Sequence, residues 1–139
     1  PHILSLSTLR TSLDITIEAT TEEINIKSVK LFDYFISIYE DELKKLNFEL
    51  LSPMDKNNRG SHIAISHEEA WRISKCLIDP IDDDEQSIII DFRPNNIIRI
   101  ALTPLYTTYK DIYLICKRLI NIINEGEFKK KDNSMEGVT

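Results

Sequence analysis

One arginine in this chain stands where an unpartnered guanidinium is costly. In Ile97-Ile98-Arg99-Ile100-Ala101, the alternation of a β-strand puts Arg99 on one face with Ile97 and Ala101, and Ile98 and Ile100 on the other. A guanidinium in so apolar a run must snorkel to the sheet's edge or meet an anion, because burying it unpaired is expensive. Two anions fit. One is Asp91 in the same hairpin, which would make a structural ion pair. The other is a ligand carboxylate, which the planar fork of Arg grips bidentately better than Lys does. The residues alone leave both open.

The run Arg59-Gly60-Ser61-His62 is the next candidate. Gly60 permits a positive φ or a close approach of backbone, and His62 is able to act as an acid or base. No second catalytic group lies at a readable spacing, so a loop Arg followed by an edge-strand His is the plainer expectation. Pro104-Leu105-Tyr106 offers a phenol for the neighbourhood of Arg99, although the ordinary work of a Tyr at a helix entrance is packing. Trp71 is expected in the core, and His2 and His67 at the surface. Cys76 and Cys116 lack CxxC spacing and are expected as small buried hydrophobes. The acidic run Asp82-Asp83-Asp84-Glu85 lacks the alternating oxygens and turn Gly of a calcium loop, so a solvated loop is expected. GxGxxG, P-loop, GxSxG, HExxH and Cys/His-cluster patterns are all absent.

The elements that must position these residues follow from periodicity and caps. Leu4, Leu6, Leu9, Leu13 and Ile17 predict an amphipathic helix over 4–18. Thr20 and Glu23 form a capping box opening a long helix that carries Phe32, Phe35, Tyr39, Leu43 and Leu46. Strands are predicted at 48–51 and 61–66, the second followed by a Ser66/Glu69 capping box and a helix to Ile78. Residues 87–91 and 97–101 predict a hairpin around the turn at 93–96. A last helix runs from Thr108 to Ile123 and is stopped by Gly126 at C′. The predicted fold class is α+β, a small, mostly antiparallel sheet with helices packed on one face. Its parts are a helical lead-in at 1–46, the small domain at 47–126 and a disordered tail at 127–139.

With 139 residues, 42% of them hydrophobic, the chain is long enough for one core without disulfides or metals. Seventeen Lys and Arg against 23 Asp and Glu leave a net charge of -6, the wrong sign for neutralising phosphates, so nucleic acid is not an expected partner. Apolar runs fall far short of the ~20 residues of a membrane helix. Pro1-His2-Ile3-Leu4-Ser5 lacks the basic start and long apolar run of a signal peptide, and a cytoplasmic chain without a membrane partner is expected.

Several runs resemble the C-terminal part of kynureninases. They are Pro1 to Leu6, Ser12-Leu13-Asp14-Ile15, Lys27-Ser28-Val29 before Tyr34, Arg59-Gly60-Ser61-His62, and above all Asp91-Phe92-Arg93-Pro94-Asn95-Asn96-Ile97-Ile98-Arg99 followed by Pro104-Leu105-Tyr106. The resemblance extends in order from residue 1 to about 124. It implies the small C-terminal domain of fold type I pyridoxal-phosphate enzymes, which closes over substrate held by a large domain. It also implies hydrolysis of the Cβ–Cγ bond of kynurenine or 3-hydroxykynurenine, to alanine and an anthranilate, in an enzyme that is a homodimer when complete. In that family the Arg matched by Arg99 binds the substrate's α-carboxylate. The Schiff-base Lys and phosphate-binding groups belong to the large domain upstream. The resemblance therefore implies that this chain alone binds no pyridoxal phosphate and is inactive. Its Asp79 to Gln86 segment is longer and more acidic than the family's turn, and Asn96-Ile97 stands where many members have Gly.

The alternative is a free-standing, noncatalytic α+β domain that binds an amino acid or a partner protein. A fragment keeps the apolar surface that met its large domain, whereas a free module replaces it with polar residues. The leucines of the first helix favour the fragment.

Overall fold

The computed structural model describes residues 2–82 and 84–134. Helices α1 (Ile3–Ala19) and α2 (Thr21–Asp41) lead into β1 (Glu49–Leu50), β2 (His62–Ser66), α3 (Ala70–Ile78), β3 (Asp91–Arg93), β4 (Ile97–Ala101) and α4 (Tyr109–Asn124). Short 3₁₀ turns lie at Leu43–Leu46, Lys56–Asn58 and Glu127–Lys130. The strands form one antiparallel sheet in the order β1-β2-β4-β3. Ile63, Ile65, Ile98 and Ile100 project to one face and share a buried cluster with Phe32 and Phe35 of α2, Ile73 of α3 and Leu119 of α4. Each such side chain contributes roughly 1.5–3 kcal/mol on burial. The result is the expected α+β domain, with its helices on one side of a small sheet.

Caps decide where the helices start. Thr20 Oγ1 accepts from the Glu23 N–H at 3.3 Å, as predicted, but the reciprocal half of that box is absent among the described residues. Ser66 caps nothing, because it is still a strand residue paired between Glu49 and Ile97. Helix α3 has no side-chain cap; in the turn before it, His67 Nδ1 accepts from the Glu69 N–H at 3.0 Å. His67 is therefore buried, tilted against Phe48 at 4.7 Å, and not at the surface. Burial holds its imidazole below the ordinary range, although the Leu46 backbone opposes this. A complete capping box instead opens α4, where Thr108 and Asp111 satisfy each other's N–H groups at 2.8 and 3.2 Å. Tyr39 fastens α2 to β1: its hydroxyl donates to Phe48 O at 3.2 Å and accepts from the Leu50 N–H at 3.1 Å.

Three further expectations are corrected. The strand predicted at 87–91 forms at Asp91–Arg93. Asn95 and Asn96 adopt left-handed φ values of 66° and 62°, and the turn they make sets Arg93 opposite Ile97. The Ile88 N–H then bonds Leu77 O at 2.7 Å, which ties this stretch to the end of α3 instead of to β4. The tail predicted as disordered from 127 begins with an ordered turn at Glu127–Lys130, in which Glu127 is buried. The expectation for 135–139 lies outside the described residues. Trp71 is half-buried at the rim of the core, 5.0 Å from Phe92, with its indole N–H donating to Ser134 O.

Helix α1 buries none of its residues, and Leu4, Leu6, Leu9 and Leu13 are all exposed. Among the described residues no helix is long and apolar enough to cross a membrane.

Candidate functional site

The sheet face turned away from the helices carries the polar residues of β2, β3 and β4. Strand alternation puts His62, Ala64 and Ser66, then Ile97, Arg99 and Ala101, then Asp91 and Arg93 on that face. Arg99 sits between Ala64 on one neighbouring strand and Asp91 on the other. Its Nη2 pairs with Asp91 Oδ2 at 2.6 Å. Arg93 Nε donates to the same oxygen at 3.0 Å. Two guanidiniums thus share one carboxylate oxygen, and the trio carries a formal charge of +1. No second carboxylate of the described residues lies within ion-pair distance of Arg99; its side chain is 41% exposed, although its Nε is buried without a hydrogen-bond partner. The structural ion pair is therefore realised through Nη2, and it leaves Nη1 without a carboxylate partner among the described residues.

Arg59 is placed quite differently. Its Nη2 meets Asp33 Oδ1 at 2.6 Å, its Nη1 donates to Met54 O at 3.0 Å, and the guanidinium lies 3.7 Å from the Phe32 ring centroid. These contacts clamp the β1–β2 loop onto α2, the structural role of a loop arginine. Gly60 is not at positive φ, and a Cβ there would meet nothing within 4 Å, so neither special use of glycine applies. His62 lies two residues before Ala64 on the same exposed face, diagonal to Arg99. Its imidazole has no hydrogen bond among the described residues. Tyr106 is 74% exposed, beside a cavity of about 340 Å³ that Ile88, Ile100 and Asp111 also line, so it is not a packing residue.

Other candidate groups are inert. Burial pushes the Cys76 thiol up to about 11 and the Cys116 thiol up to about 12, far from any thiolate role. Among the described residues, no three or more His, Cys, Asp or Glu gather as metal ligands. No lysine among them is buried; Lys75, a half-buried one, is engaged with the carbonyls of Asp132 and Ser134. These residues do not fit a pyridoxal-phosphate site, which needs a lysine amine held in an enclosed pocket.

Two contributors escape a reading of the residues alone. Arg93 looks like a turn residue, yet the spacing Asp91-x-Arg93 in a strand already puts both on one face. Arg118, inside an amphipathic helix, is buried against Glu127, which follows the Gly126 stop. An arginine on the apolar side of α4 is the signal that an anion has to come to it.

Comparison with known proteins gives one family. The sequence profile described as the kynureninase C-terminal domain matches residues 24–119. The kynureninase of Geobacillus thermodenitrificans (strain NG80-2) is 41% identical over 138 residues, which is 99% of this chain and 31% of the relative. Those of Shouchella clausii (strain KSM-K16) and Bacillus mycoides (strain KBAB4) are 39% and 36% identical over the same shares. The chain spans about a third of the length of the curated relatives it matches.

Proposed function

The chain belongs to the kynureninase family, as its C-terminal domain, and from that premise we propose that it completes the substrate site of a hydrolase acting on L-kynurenine or 3-hydroxykynurenine. The products are L-alanine and anthranilate or 3-hydroxyanthranilate. The observation that carries this reading is Arg99, half-exposed on the open sheet face, with Nη2 paired to Asp91 and Nη1 without a carboxylate partner among the described residues. A carboxylate on that fork gains two parallel charge-assisted hydrogen bonds, which fix the orientation of an amino-acid substrate.

Pyridoxal phosphate, when bound, supplies the electron sink for cleaving the Cβ–Cγ bond. This chain's residues do not hold it, so the cofactor belongs to a larger domain that docks on the chain. Exposed Leu4, Leu6, Leu9 and Leu13 support such docking, because apolar patches of this kind are unusual on a stable monomer. In the complete enzyme two such units pair as a homodimer.

The test is kynurenine hydrolysis, followed by anthranilate fluorescence with added pyridoxal phosphate. It is run on this chain alone and on its complex with the cofactor-binding polypeptide. Activity is expected in the complex only. Silence of both samples, with a folded monomeric chain, would leave a noncatalytic binding domain.

A further inference from the structure

Arg99 does not stand alone on its face, and its neighbours have chemistry of their own. Asp91 is directly opposite it in the β3–β4 register, so the pair is built into the ladder and does not depend on a mobile loop. Directly opposed strand residues are close enough for their side chains to interact throughout the life of the fold. Oδ2 of Asp91 receives Arg99 Nη2 at 2.6 Å and Arg93 Nε at 3.0 Å. Half of each side chain is open to water, which makes this a poor stabiliser of the fold. A device of little structural value, placed on the arginine proposed to hold the substrate carboxylate, calls for another role.

We infer that Asp91 and Arg93 are positioning residues for the substrate carboxylate: Asp91 holds one edge of the Arg99 fork in place, and Arg93 neutralises Asp91 so that it does not compete with the substrate. A lone Asp91 would cancel the Arg99 charge and leave no net attraction for an incoming carboxylate. With Arg93 on the same oxygen, the trio keeps one positive charge, enough for one carboxylate. Held at Nη2, the long Arg side chain loses less freedom when substrate arrives, so more of the interaction appears as binding. The same restraint sets the angle of the fork, and misplacement by about 1 Å costs on the order of a hundredfold in rate.

This inference rests on the proposed role of Arg99, and the experiment separates the two. Asp91→Asn, Asp91→Glu, Arg93→Gln and Arg99→Ala are compared in the complex of this chain with its cofactor-binding partner. The readouts are KM for kynurenine, the inhibition constant of its decarboxylated analogue as a competitive inhibitor, and the unfolding temperature. Asp91→Asn is expected to raise KM for kynurenine about tenfold, as misalignment of a binding group does. It should leave the inhibition constant of the analogue and the unfolding temperature unchanged. Arg93→Gln should move KM in the same direction by less, and Asp91→Glu should restore part of the loss. If Asp91→Asn lowers KM, Asp91 is a competitor and the inference fails. If it weakens kynurenine and the analogue alike, Asp91 is merely structural and the inference fails again. An unchanged KM in Asp91→Asn, beside a large loss in Arg99→Ala, overturns the inference and leaves the Arg99 reading standing. An unchanged KM in Arg99→Ala overturns both.

Discussion

Of the arginines that meet carboxylates of their own chain, Arg118 and Arg99 do so in opposite ways. Arg118 is buried, its side chain only 5% exposed, and grips Glu127 with both ends of its fork, Nη1 to Oε2 at 2.6 Å and Nη2 to Oε1 at 2.7 Å. Nη2 also reaches Cys76 O at 3.4 Å, and Glu85 stands 3.7 Å from Nε. Desolvation works against both charges, yet the pairing outweighs it. The Glu127 carboxyl is held below its usual range, and the Arg118 guanidinium above its own. Arg99, by contrast, shares a single oxygen and keeps the rest of its fork unpaired. The two arginines differ in how much of the fork the chain itself occupies.

That contrast breaks most decisively at Arg99. Arg99→Ala in the complex with the cofactor-binding partner is expected to lower kcat/KM for kynurenine by about 10³, as losing one side of a desolvated charge pair does. Urea unfolding of the same variant should show a change within about 0.5 kcal/mol, the range for surface substitutions. A protein that keeps its activity but loses its stability would reverse the roles assigned to the two arginines.

At the other site the expected effects change places. Glu127→Ala leaves Arg118 buried without its main partner and should cost about 3 kcal/mol in urea unfolding. This is the low end for a broken buried pair, because Glu85 is near enough to compensate in part. Substrate KM should not move at temperatures where the variant is folded. Replacing both partners, Arg118→Met with Glu127→Leu, sharpens the test. A buried pair exchanged for apolar groups of similar volume is often neutral or stabilising, so the double variant should recover most of the loss. If it stays as unstable as Glu127→Ala, the pair holds the Glu127–Lys130 turn in a way that packing cannot replace.

The sequence was most readable where one residue's neighbours along the chain decide its fate. Strand alternation in Ile97–Ala101 gave the two faces of β4, and the Asp91 partner of Arg99 followed from the hairpin, because both are local patterns. The αL stop at Gly126 was equally local. What escaped depended on contacts between distant segments. His67 looks like a surface residue until β2 claims Ser66 and leaves the imidazole to accept from the Glu69 N–H in the turn before α3. The order of Glu127–Lys130 depends on Arg118 and on Phe128 packing against the core, neither of which a polar, lysine-rich tail announces. The start of β3 followed the positive φ of two asparagines, and it falls at Asp91, four residues after the predicted start at 87. As for the site, Arg99 was legible and Arg93 was not, since one stands in an apolar strand and the other beside a proline, where a turn is the natural reading.

The smallest expected effect concerns pH and keeps the two arginines apart experimentally. Glu127 has a folded pKa below its ordinary 4.5, so its contribution to stability is complete above that value and is lost as pH falls through the depressed one. Between pH 7.5 and 5.5 the Arg118 pair therefore stays intact. His67 has the opposite sense. Burial lowers its pKa below 6.5, so the unfolded chain takes up the proton first, and stability declines as pH drops below about 6.5. Protonation also removes the Nδ1 acceptor that caps the Glu69 N–H. Urea unfolding across this window should show a shallow loss on the acid side. His67→Asn, which keeps a side-chain acceptor and cannot be protonated there, should flatten it. A slope that persists in His67→Asn would assign the proton to another group. A loss of kynurenine binding in the wild type that follows the same slope, and disappears in His67→Asn, would trace to the scaffold beneath β2 and not to the Arg99 fork.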